Sequence, residues 1–404
     1  MATRSIELED FLKTRGTTLS RVIEKARSSL ELAADDCLFA VGSLVEGLGT
    51  AKSDVDLLWL THLDAESIPS AEDLTLVVGR CLVDVQPVPL TAMNELLSRL
   101  QAWSRLSWDT THDAKFSFEE RKLLHRLLYA RPLQVIKRDA SKWRPAAADL
   151  TRLKLHVARQ YSRTIQVDMV GNREAGDFRS LVYAAQDLLG HAADALTAGY
   201  GFTNPIPKWR SRLLDQVPAG WEQSLPHRPA RLSAGESVWR LHRGPEQLDK
   251  RAALAHAFRI STFARAVFAW AEMRLVNNSP KGKELIDWSF FTLPSPGPVL
   301  PHLDFDVDFR IIEGRVFMGR LNEFGETVEL SQREFALALL CDGSTTLPDA
   351  ETAVFGTRSD GAARRTIKRL LSNLKQAGLS VPGRRVEMTT NGRKSVRSAF
   401  IPGS

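Results

Sequence analysis

Residues 37–60, CLFAVGSLVEGLGTAKSDVDLLWL, constrain this chain more than any other stretch. Cys37 to Val41 is a short apolar run of the kind that forms a buried strand. Gly42 and Ser43 interrupt it, Leu44 to Leu48 has room for one or two helical turns, and Gly49 to Ser53 reads as a loop. A second strand is expected to start at Asp54 and run through Leu60. Side chains alternate across a strand, so Asp54 and Asp56 are expected on one face and Val55 and Leu57 on the other. Two neighbouring carboxylates repel each other. A hard cation between them removes the repulsion, and Mg²⁺ favours such oxygen donors. The preceding Gly-Ser lets backbone approach a ligand closely and offers amides at a helix N-terminus, which suits phosphate oxygens. One stretch thus supplies a phosphate grip and a metal grip.

These residues resemble the signature of the DNA polymerase beta-like nucleotidyltransferase superfamily. The match consists of Gly42-Ser43, a spacer of about ten residues containing Gly49, and Ser53-Asp54-Val55-Asp56 among apolar residues. That family carries a third carboxylate on a neighbouring strand, and Asp84 stands inside the otherwise apolar Arg80 to Val88. The likeness covers roughly residues 20 to 100. It implies transfer of a nucleoside monophosphate from a nucleoside triphosphate to an acceptor hydroxyl. Asp54, Asp56 and Asp84 would be the catalytic residues and the ligands of two Mg²⁺ ions, with Mn²⁺ as a substitute. Gly42, Ser43 and Ser53 would hold the nucleotide. Overall similarity favours a small acceptor of the aminoglycoside kind, with a protein side chain or an RNA end as alternatives. The competing reading is a DNA-binding regulator that senses nucleotide with the same fold.

At 404 residues the chain is long enough for two or three domains. No apolar run approaches the roughly 20 residues of a membrane span, and MATRSIELEDFLKTRG lacks a signal-peptide core. Cys37, Cys81 and Cys341 show no metal-ligand spacing and read as reduced core residues, which favours the cytoplasm. The net charge of +6 is uneven: Gly356 to Ser404 holds eleven Lys and Arg against two acids, a balance of +9. That concentration calls for a local explanation.

The pattern predicts an α+β chain in four parts. Residues 1–140 form a small mixed-sheet core, with helices expected over 91–106 and 118–129. Residues 146–280 read as a helical bundle, with candidate helices Thr151 to Val170, Phe178 to Ala198 and Arg251 to Val276. A bundle after the core is similar to the arrangement in kanamycin- and streptomycin-type nucleotidyltransferases. Its Lys154, Arg159 and Arg163, and Lys208 and Arg210 around Trp209, are candidates to reach a triphosphate, with Lys154 and Lys208 foremost. Residues 281–304, rich in Pro, Gly and Ser, read as a linker.

Over 305–404 the pattern becomes strands, three helices and a hairpin turning at Asn391-Gly392. Ser331-Gln332-Arg333-Glu334 is a capping box. The third helix, Asp360 to Ala377, carries Ala363, Ile367, Leu370, Leu371 and Leu374 on its apolar stripe and Arg364, Arg365, Lys368, Arg369 and Lys375 off it. The order resembles the winged-helix effector domain of bacterial response regulators, which implies nucleic acid bound by Arg364, Arg365, Lys368, Arg393 and Lys394. It also resembles the winged-helix module by which some peptide-modifying enzymes hold a leader peptide. Docking of a protein on a merely solvated basic face is the further alternative.

Overall fold

A computed structural model describes residues 6–381, leaving out 31, 34–35, 69–73, 107, 109–114, 136–139, 219–232, 277–296, 313–314, 322–326 and 357–360. The chain is α+β. Its first part opens with helices α1 (Leu8–Thr14) and α2 (Leu19–Leu30), then strands β1 (Cys37–Val41), β2 (Val55–Thr61), β3 (Thr75–Val78) and β4 (Cys81–Pro89). Helices α3 (Leu90–Ser104) and α4 (Phe118–Tyr129) and strand β5 (Arg131–Val135) complete it. The sheet order is β3-β4-β2-β1-β5, with β2 and β4 parallel and the other neighbours antiparallel.

Period-two alternation sorts the sheet into two faces. Leu38, Ala40, Leu57, Trp59, Val83 and Val85 pack on α1 and α2. Phe39, Val41, Leu58, Leu60 and Val88 pack on α3 and α4. A capping box at Ser117 and Glu120 starts α4 where its Leu123, Leu124 and Leu127 can reach that second face. The short helix expected over Leu44 to Leu48 is instead a run of turns. Gly42 and Gly47 sit at φ +78° and +71°, left-handed values that interrupt a right-handed helix at both ends. Strand β2 begins at Val55, one residue later than expected, so Asp54 precedes the strand rather than standing in it.

Three long helices follow, α5 (Ala147–Ala175), α6 (Phe178–Gly199) and α9 (Lys250–Leu275), with α7 (Arg210–Asp215) and α8 (Ala234–His242) between the last two. Their core is built of Leu and Ala, including Leu181, Ala185, Leu188, Ala192 and Ala195 along α6. Small residues let α6 lie close to both neighbours, and the 2 % exposed Trp270 sits against the backbone of Gly199.

The last part holds β6 (His302–Leu303), β7 (Val307–Ile312), β8 (Arg315–Arg320), β9 (Val328–Leu330), α10 (Gln332–Leu339), α11 (Leu347–Phe355), α12 (Gly361–Gln376) and β10 (Ser380–Val381). β7, β8 and β9 form an antiparallel sheet, and β6 pairs with β10. Two expectations change here. Residues 297–304 are not spacer: Leu300 and Leu303 are buried, the Leu300 amide donates to Thr345, and the Leu347 amide donates to Pro298. Pro298 and Pro301 directly precede the Val299 bridge and β6. Nor does this part stand away from the bundle. Ala269 and Met273 of α9 belong to its core, and Phe305 belongs to the bundle core. The hairpin expected at Asn391-Gly392, with Arg393 and Lys394, lies outside the described residues.

A layer of buried charge seals the junction. Arg159 on α5 pairs with Glu272 on α9 at 2.9 Å and with Asp308 on β7, and all three side chains are at most 5 % exposed. Arg163 adds a contact to Asp308 at 3.2 Å. Arg265 of α9 donates to the Asp304 and Val307 carbonyls. Arg173 and Arg320 both reach Asp304, and Arg320 also holds Asp306.

Candidate functional site

The site lies at the end of the sheet where β1 gives way to its turn. Val41 pairs with Asp56 across β1 and β2, and Asp56 pairs with Asp84 across the parallel strands β2 and β4. In-register partners share a face, so Asp56 and Asp84 stand side by side on the α4 side of the sheet. Gly42 follows directly. A methyl group added there would fall 2.2 Å from Asp56 Oδ2, so the turn closes on the carboxylate with no room for a side chain. Ser43 and Ser53 face each other across the loop, Oγ to Oγ at 3.3 Å, and the Thr50 amide donates to Ser53 Oγ at 2.9 Å. The loop thus folds back on itself and brings Asp54, exposed, to the same rim.

Electrostatics mark the same point. Burial pushes the Asp56 carboxyl above the usual carboxylate range, and Asp84, Asp54 and Glu46 add repulsion in the same direction; Arg126 opposes them. Arg126 comes from α4. Its Nη2 donates to Asp56 Oδ1 and its Nη1 to Gln86 Oε1, each at 2.7 Å. Gln86 is two residues beyond Asp84, hence on the same face. Thr75 on β3 lies against the outer side of Asp84, 3.4 Å from Oδ1.

Glu46 in the turn and Asn204 in the loop after α6 lie outside helices and strands, so no periodicity marks them. Glu46, in the turn, is bonded by His125 Nε2 at 2.8 Å and by Asn204 Nδ2 at 2.7 Å. His125 Nδ1 lies 2.8 Å from Thr203 Oγ1, and the His125 side chain is 2 % exposed. Arg212 donates to the carbonyls of Leu48 and Gly49. The loop between α6 and α7 is therefore fastened to the turn that carries Gly42 and Ser43, and it forms a second wall.

The bundle cations divide differently from expectation. Lys154 points inward, 6 % exposed, and donates to Thr197 Oγ1 at 2.8 Å and to the Phe202 carbonyl. Burial lowers its ammonium to about 8. It is a buried residue satisfied by the Thr197 hydroxyl and by the Phe202 carbonyl in the loop after α6. Arg159 and Arg163 are taken by Asp308, and Arg210 grips Asp194 through two nitrogens. Lys208 is exposed, its Nζ 4.9 Å from the Trp209 ring, on the loop that Asn204 and Arg212 fasten. On α12, Arg364, Arg365 and Lys368 are exposed on the face opposite Ala363, Ile367 and Leu370.

Among the described residues, no group of three or more His, Cys, Asp and Glu side chains converges as a metal site. Asp54, Asp56, Asp84 and Glu46 nonetheless have the all-oxygen chemistry of a hard divalent cation. Burial raises the Asp56 carboxyl first; Arg126 offsets it, and Asp84, Asp54 and Glu46 raise it further, so acids outnumber bases around Asp56. The residues fit such a cation in charge and donor type, with Arg126 standing at Asp56 where it would bind. Among the described residues, no helix is long and apolar enough to cross a membrane. No family model matches the chain, and no curated protein is significantly similar to it.

Proposed function

We propose that the chain is a divalent-cation-dependent nucleotidyltransferase with a DNA polymerase beta-like core, moving a nucleoside monophosphate from a nucleoside triphosphate to an acceptor hydroxyl. The observation that carries this reading is the in-register pair Asp56 and Asp84 on parallel strands, closed on one side by the Gly42-Ser43 turn. A bound divalent cation would neutralise phosphate charge and favour ionisation of the attacking hydroxyl. Asp54 and Asp56 would hold it on the phosphate side, and Asp84 on the acceptor side. The Gly42 and Ser43 backbone, with the Ser43 and Ser53 hydroxyls, would seat the β- and γ-phosphates.

The acceptor oxygen forms a bond to the α-phosphorus as the bond from that phosphorus to the bridging oxygen breaks, and pyrophosphate leaves with that oxygen. Asp84 is exposed, so a hydroxyl can approach it and pass it a proton. The wall fastened through Glu46, His125 and Asn204 would limit water at the reacting phosphorus. The acceptor is a small polyhydroxylated amine on this reading, with a protein or RNA hydroxyl as the wider class.

The test is pyrophosphate release from mixed nucleoside triphosphates with Mg²⁺ and a panel of acceptors. Asp56→Asn should lower turnover by about 10³-fold or more, since a metal ligand is lost. Asp84→Asn should lower the rate but leave nucleotide affinity within about threefold. An Asp56→Asn protein with native turnover would overturn the assignment. Tight nucleotide binding with no release under any acceptor would favour the regulator, a reading to which the guanidinium on Asp56 lends weight.

A further inference from the structure

We infer that Arg126 is a built-in counter-ion of the candidate site, one that yields Asp56 to the incoming cation and passes its own charge to the nucleotide phosphates. The inference rests on the nucleotidyl-transfer reading and adds to it a control on when the carboxylates are available.

The grip of Arg126 differs from that of Arg210 and Arg369. Arg210 binds Asp194 through Nε and Nη2, and Arg369 binds Glu334 through Nε and Nη2. Arg126 instead splits its fork between one carboxylate oxygen and a neutral amide. A neutral acceptor holds a guanidinium more weakly than a carboxylate does. Its Nε is buried and has no hydrogen-bond partner. A buried donor left without a partner is costly, so this grip is weaker than one in which the whole guanidinium is satisfied.

Release would be local. The neighbouring His125 is held by Glu46 and Thr203, and Leu124 and Leu127 are buried against the sheet, so the α4 backbone is fixed. Only the long arm of Arg126, 14 % exposed, has to swing. Its destination is adjacent: the Asp56 carboxylate it leaves touches Gly42, the start of the proposed phosphate seat. Charge sets the direction. Asp54, Asp84 and Glu46 all add negative charge around Asp56, where Arg126 is the opposing cation, so a divalent cation would displace the guanidinium with a net gain in local neutrality, and a triphosphate would then offer it several oxygens.

The experiment uses the full chain and two probes that assume no base preference. Mn²⁺ alone is titrated by electron paramagnetic resonance, and inorganic tripolyphosphate is titrated at saturating Mn²⁺. Arg126→Gln should bind Mn²⁺ about tenfold more tightly than wild type, because its competitor is gone, and tripolyphosphate about tenfold more weakly. Arg126→Lys keeps the charge but not the fork, and should fall between the two on Mn²⁺ while holding tripolyphosphate within about threefold of wild type. If Arg126 were a strut, a folded Arg126→Gln would show unchanged or weaker Mn²⁺ binding with a lower Tm, and the inference would fall. Should Arg126→Gln misfold, Arg126→Lys decides alone by the same Mn²⁺ comparison. If wild type, Arg126→Gln and Asp56→Asn all bind Mn²⁺ equally poorly, the site takes no cation, and the transferase reading fails along with the inference.

Discussion

Replacing Asp308 by Ala should destabilise the chain by about 3–5 kcal/mol, the range for removing one partner of a buried ion pair. Asp308 is 3 % exposed and faces Arg159, 5 % exposed, and Arg163. In the same dry layer Glu272 is the second anion and Arg265 the third cation. Without Asp308, Arg159 keeps only Glu272 and Arg163 loses its acid. Arg163 is 38 % exposed and can turn to water, so the deficit falls on Arg159 and Arg265. Glu272 keeps Arg159 from isolation, which favours the lower end of the range. Asp308→Asn preserves shape and an acceptor for Arg159 and for the Phe309 amide, and should cost about half as much. The assay is urea unfolding followed by tryptophan fluorescence and circular dichroism. Arg315→Ala is the control: its pair with Glu329 is more than half exposed, and its loss should stay within about 0.5 kcal/mol. A loss under about 1 kcal/mol for Asp308→Ala would refute the argument that this junction is dry and electrostatically tight. So would a separate early transition that leaves the remainder unchanged.

Further outcomes are expected at Lys154, Gly42 and the exposed face of α12. Burial lowers Lys154 from 10.5 to about 8, so between those values the folded lysine is neutral while the unfolded one keeps its proton, and raising pH stabilises the fold. Wild type should gain about 2–3 kcal/mol on Lys154→Met between pH 7.5 and pH 10.5 in urea titrations, and an equal pH response of the two proteins would contradict this. Gly42→Ala must adopt φ +78° and crowd Asp56, so it should lose about 1–2 kcal/mol and at least tenfold in pyrophosphate release, read by thermal melting and by the release assay. If α12 contacts a duplex, reversing Arg365 and Lys368 to Glu should flatten the salt dependence of binding by about two phosphate equivalents, measured by fluorescence anisotropy across a salt series. No duplex binding at low salt by the wild-type chain would leave peptide or protein docking as the role of that face.

Local chemistry made part of this legible. Cys37 to Val41 and the strand carrying Asp84 are short apolar runs between breakers, and they occur as strands with Asp84 in the middle. The capping box at Ser331 starts α10 where the residues demanded it, and the apolar stripe of α12 is buried as its spacing required. The partner of Asp56 was not legible. Arg126 lies 70 residues away on a helix whose visible signal is its leucine stripe, and only the tertiary fold sets it against β2. Lys154 misled for a related reason. A lysine on an amphipathic helix ordinarily faces water, and nothing local announces that Thr197 and Phe202 will satisfy it inside. Residues 297–304 misled because proline and glycine mark both loose spacers and tight packed turns.

The shared helix α9 and the arginines of α5 have a consequence for how the chain is made. Arg159 finds Asp308 only 149 residues later, so when the bundle first emerges from a ribosome Arg159 has Glu272 alone and Arg163 lacks Asp308. The nascent bundle can assemble its Leu and Ala interior, but the flank that will receive β7 stays wet until synthesis has passed residue 308. Translation pauses before that point would prolong a half-finished intermediate with Ala269 and Met273 uncovered, the species that a chaperone would be drawn to. A chain cut in the 277–296 stretch would leave Ala269 and Met273 without the core that covers them.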